Sequence, residues 1–181
     1  MDCPFDCPFL QEARKHEHSA PLNADELPNK DIRVTEEFLE EHEPLMVWAM
    51  SSLLAAALDT PGAVDSDVRD AIEALIRTQR TLQSGVYYET RPENALANHI
   101  FDKMQEGLAE FRKEEREETG ISRTRDGDVV IVLVFLQRLA LDRSNGRPRG
   151  RAFLDSLRGF LGEAAAGAAE PKPSSSPLIL P

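Results

Sequence analysis

Apolar residues recur at helical intervals through most of this chain, and two stretches are apolar on nearly every side. From Val68 the large apolar side chains fall at Ile72, Leu75, Ile76 and Leu82, an i, i+4, i+7 stripe. Asp65 or Ser66 is placed to cap that helix, and Gly85 to stop it. A second stripe, Leu96, Ile100, Met104, Leu108 and Phe111, follows Thr90-Arg91-Pro92-Glu93, which fits the capping-box spacing. Its last turns, Arg112 to Glu118, are charged and predicted to be solvated, and Gly120 closes it. Residues 121–127 read as a polar link. Before these, Thr35 precedes a run of acids and then Phe38 and Leu39, which suits a helix start. Pro44 predicts a kink or a restart. Leu45 to Leu58 is then apolar almost all round, as a helix buried on most sides would be.

The run Val129 to Leu136 is rich in β-branched residues and has strand character. An isolated strand would leave its backbone groups unsatisfied, and the chain has no other clear strand to pair with it. The pattern also continues as Leu139, Ala140 and Leu141, so we read a buried helix. It is polar on one side at Gln137, Arg138, Asp142 and Arg143, and it breaks at Ser144-Asn145-Gly146. After an arginine-rich link the chain resumes as an amphipathic helix with Phe153, Leu154, Leu157, Phe160 and Leu161 on one face, predicted to fold back on the run.

The fold class is therefore all-α, a single bundle of five or six helices over residues 31–162, with the segments 45–58 and 129–142 paired at its centre. Residues 1–30 hold a short helix after Pro8 and a linker. Residues 163–181 are too poor in bulky side chains to offset their ordering entropy and are expected to be flexible. They end in Pro177-Leu178-Ile179-Leu180-Pro181, an aliphatic segment with three possible seats: the chain's own helices, a second copy, or a partner.

Charge narrows the functional classes. A net charge of −11 weighs against wholesale binding to nucleic acid or to an anionic membrane. Leu45 to Leu58 falls short of the ~20 residues that a spanning helix needs. No basic region followed by an apolar core opens the chain, so the expectation is a soluble, cytoplasmic protein. Two cysteines are too few for a disulfide scaffold.

Three groups of residues carry candidate chemistry. Arg143, Arg147, Arg149 and Arg151 are concentrated in an otherwise acidic chain, and planar guanidinium groups suit a carboxylate or a phosphate. The plainer reading is that they serve a helix C-terminus and structural ion pairs. Cys3, Cys7, His16 and His18 form a complete tetrahedral donor set for zinc, though Cys-x3-Cys with His-x-His is not a common zinc spacing. Tyr87, Tyr88, Glu89 and Arg91, with His99 about two turns into the next helix, supply the groups of an acid/base or anion site if they converge. The acids around Glu36 to Glu43 with His42 do not make the Glu-x-x-His pattern of helical di-metal proteins. No phosphate loop or nucleophile elbow is present. The leading expectation is a non-enzymatic helical protein that binds another protein through the arginine link or the tail, with no cofactor. A zinc-binding or metal-regulated protein is the alternative, and an enzyme the third reading.

Overall fold

The computed structural model describes residues 27–86 and 88–169, and over them the chain is six α-helices with no strand. They are α1 (Glu36–Glu41), α2 (Glu43–Leu58), α3 (Asp65–Gln83), α4 (Ala95–Thr119), α5 (Asp126–Asp142) and α6 (Ala152–Ala169). The β-branched run is helical, lying wholly within α5. Pro44 restarts the chain in the first turn of α2, where its missing N–H costs no hydrogen bond.

Helix starts differ from the sequence expectation in an instructive way. Thr35 caps α1 as expected, accepting from Phe38 N at 3.2 Å. At α3 the N-cap position is held by Val64, whose N–H donates to Asp67 Oδ2 at 2.9 Å, so Asp65 is left for other work. At α4 the cap is Asn94, not Thr90; the Asn94 side chain accepts from Leu96 N at 2.9 Å. Thr90 is tied instead to α3, its N–H donating to the buried Thr78 hydroxyl at 2.9 Å. Gly120 ends α4 with φ +79°, a left-handed conformation that favours glycine.

One apolar core joins all six helices, from Phe38 beside it in α1 to Leu157 in α6. The most extensive pairing is α3 with α5, followed by α3 with α4 and α2 with α4. The expected central pair, 45–58 with 129–142, is a secondary contact, and α3 is the helix at the centre. Its strong amphipathy explains this: Val68, Ile72, Leu75 and Ile76 are all buried, and Thr78 and Gln79 on the same helix are buried with them. An all-round apolar helix such as α2 is less selective about which face it buries, and it leaves Val47 and Leu58 exposed.

Two polar stretches, the polar side of α5 and the end of α4 predicted to be solvated, turn out to fasten the bundle. Arg138 donates to the carbonyls of Asn29 and Ile32 at 2.9 and 3.0 Å, and the buried Gln137 accepts from Asn29 Nδ2 at 2.8 Å. Glu115, in the charged end of α4, accepts from Ser122 Oγ and Thr124 N, both at 3.1 Å, and so organises the link to α5. Burial raises the Glu115 carboxyl pKa, but these hydrogen bonds outweigh it and the net shift is downward.

Candidate functional site

The departure of greatest consequence is α6. It packs on α2 and, less extensively, on α3, and does not lie along α5 as the turn at Ser144 to Gly146 suggests. Its start is anchored at the corner between α2 and α3. Asp65, itself buried, accepts from Phe153 N at 3.1 Å and from Leu154 N at 3.3 Å. Those are first-turn N–H groups with no partner inside α6, so Asp65 caps a helix to which it does not belong. Asp65 N donates to Gly150 O at 2.9 Å, and Arg151 Nε donates to Ala63 O at 3.0 Å. Gly150 suits this close approach: a Cβ would displace the Asn145 side chain and lie 3.1 Å from the Arg147 carbonyl. Desolvation drives the Asp65 carboxyl pKa up to about 6, against the two backbone donors that favour its charge.

Holding α6 at that corner leaves a gap between α5 and the outer end of α6, and the gap is a groove of about 470 Å³. Met46, Met50 and Leu157 line it, with Phe135 and Leu139 from α5 on one wall and Phe160 from α6 on the other. Glu36, Glu40 and Glu43 supply an acidic rim, and Leu39, Arg143 and Ser156 complete the lining. Phe160 is 58% exposed, although its spacing placed it on the buried face of α6. Phe153, Leu154 and Leu157 are buried as predicted. Phe160 lies one turn beyond the buried Leu157, where α6 borders the groove. Nothing in its spacing distinguishes it from Phe153, which lies seven residues earlier on the same face and is fully buried.

The arginine set is divided by the fold. Arg143 is exposed, pairs with Asp142 at 3.3 Å and lines the groove. Arg147 and Arg149 are exposed in the link. Arg151 is half-buried and fixed to Ala63. Tyr88, Arg91 and His99 serve separate contacts. Arg91 pairs with Glu89 and with Asp102, the latter at 2.8 Å, and lies 5.5 Å over the Phe101 ring. His99 faces Asp59 at 4.0 Å, and Tyr88 is largely exposed. Tyr87 and the candidate zinc ligands Cys3, Cys7, His16 and His18 lie outside the described residues, as does the segment 177–181. Among the described residues no group of three or more His, Cys, Asp or Glu side chains is placed to hold a metal ion, and no helix is long and apolar enough to cross a membrane.

Chemically, the groove offers apolar burial with carboxylates along one edge. Compared with known protein families, with curated proteins and with solved structures, the chain matches none.

Proposed function

We propose that this is a non-enzymatic binding protein whose partner, another protein, seats a short amphipathic helix in the groove between α5 and α6. The observation that carries this reading is the groove itself, an apolar trough between helices with Phe160 standing exposed at its wall. A helix in such a groove buries side chains at i, i+3 or i+4 and i+7. Met46 and Met50 make the floor adaptable, because unbranched thioether side chains repack around different shapes. The rim of Glu36, Glu40 and Glu43 favours a partner with basic residues beside its apolar face. Arg143 offers a cation at the margin, and the exposed Arg147 and Arg149 extend the same proposed interface outward.

Replacing Phe160 by Glu tests the reading. The side chain is exposed, so stability should change by no more than about 0.5 kcal/mol. A partner captured by the wild-type protein should bind the Phe160→Glu variant at least tenfold more weakly, roughly 1.4 kcal/mol, the loss expected of an aromatic anchor. A partner that binds both forms equally would show that the groove is not its seat.

A further inference from the structure

We propose that the aliphatic segment Pro177-Leu178-Ile179-Leu180-Pro181 of the same chain occupies the groove when no partner is bound, so that partner binding must displace it. This rests on the groove being the partner's seat. The wall of the groove leads directly to the segment. Phe160 and Leu157 belong to α6, which runs to Ala169, and residues 170–181 follow it in the sequence. At 1.5 Å per helical residue, Ala169 is only about 14 Å beyond Phe160 along the helix. Extended chain covers ~3.3 Å per residue, so the stretch from 170 to 178 reaches roughly 30 Å, enough to double back.

The chemistry of the segment fits the trough. Leu178, Ile179 and Leu180 supply branched apolar side chains for a floor of methionine, leucine and phenylalanine. Burial of each is favoured by the hydrophobic effect, and the flanking prolines restrict the free chain, so less freedom is lost on docking. Residues 170–181 carry one acid, Glu170, at the end far from the aliphatic residues, and one cation, Lys172, so their side chains bring no net negative charge to the rim of Glu36, Glu40 and Glu43. The other apolar candidate, the N-terminal stretch with Phe5 and Phe9, carries Asp2, Asp6, Glu12, Glu17, Asp25 and Glu26 against Arg14 and Lys15, so its net charge is like that of the rim, and Asp2 and Asp6 stand beside the two rings in sequence. Tethering adds to the preference, because a short flexible link gives an effective concentration on the order of millimolar and makes a weak contact sufficient.

The test uses the full chain and a full-length variant, Leu178→Ser with Ile179→Ser and Leu180→Ser. A synthetic peptide of residues 170–181 is titrated into each, with the Met46 and Met50 methyl resonances as the readout. The peptide should shift both methyls in the variant and bind it about tenfold more tightly than it binds the wild-type chain, where the tethered copy competes. Adding Phe160→Glu to the variant should abolish peptide binding. Nuclear Overhauser contacts from Leu178–Leu180 methyls to the Phe135 and Phe160 rings should appear within single chains in a mixed-label sample. Equal peptide affinity for the two forms would overturn occupancy by the same chain while leaving the groove as a partner site. No binding to either form, or contacts only between chains, or contacts from Phe5 or Phe9 instead, would each overturn it as well.

Discussion

Asp65 shows how one residue can sit in a helix and act for another. Its backbone belongs to the first turn of α3, while its buried carboxylate closes the start of α6. With the folded-state pKa raised to about 6 from 3.8, the folded protein takes up a proton that the unfolded chain does not between those values. The sign follows: ionised Asp65 costs the fold stability above pH 6, and that cost is relieved as pH falls through 6 and is fully gone below 3.8. The full difference is on the order of 3 kcal/mol. An Asp65→Asn variant keeps an acceptor for the α6 donors and cannot titrate. Measured as urea denaturation at a series of pH values, wild-type stability should therefore rise relative to Asp65→Asn between pH 7 and pH 4. A constant gap across that range would show that the carboxyl titrates at its ordinary value.

At the scale of an element, the direction of α6 depends on a few polar ties rather than on its apolar stripe. Arg151 is one of them, through its hydrogen bond to Ala63 O. Removing it with Arg151→Ala is expected to cost roughly 1–3 kcal/mol in denaturant unfolding, since a charged donor and a carbonyl lose their partner. Arg147→Ala and Arg149→Ala should each stay within about 0.5 kcal/mol, as exposed side chains in a link. The triple variant should still fold, with almost all of its loss inherited from position 151. An equal loss from all three single variants would contradict the division of this arginine set into one anchor and two surface residues.

For the whole molecule, the relevant fact is that one core reaches every helix. Phe101 in α4 and Phe153 in α6 are both fully buried in it, though they come from distant parts of the chain. We expect the described helices to unfold in a single cooperative step. Phe101→Ala and Phe153→Ala should each shift that same transition by about 3–5 kcal/mol. Coincident transitions by circular dichroism and by Trp48 fluorescence are the check. A variant at Phe153 that melts α6 separately would show that α6 is a detachable unit, and the walls of the groove would then not be fixed relative to each other.

Most of the helices, their stops and the faces they bury followed from local rules; the exception is α6, which continues past the expected end at Gly162 to Ala169, because its alanines favour helix, and which leaves Phe160 exposed. Periodicity, Pro44 and Gly120 act within a few residues, so they are visible in the order of the sequence. The helical state of Val129 to Leu136 needed one global argument, the lack of a strand to pair with. Which helix lies at the centre was beyond reach, because α2 and α5 are the more apolar while α3 is the better matched on one face. The groove was equally hidden. It exists because Asp65, Gly150 and Arg151 fix the start of α6 to the α2–α3 corner, and those contacts join residues far apart in the chain. A helical stripe records that Phe160 has an apolar neighbour somewhere. Only the packing of α6 against α2 instead of α5 decides that the ring faces an open trough.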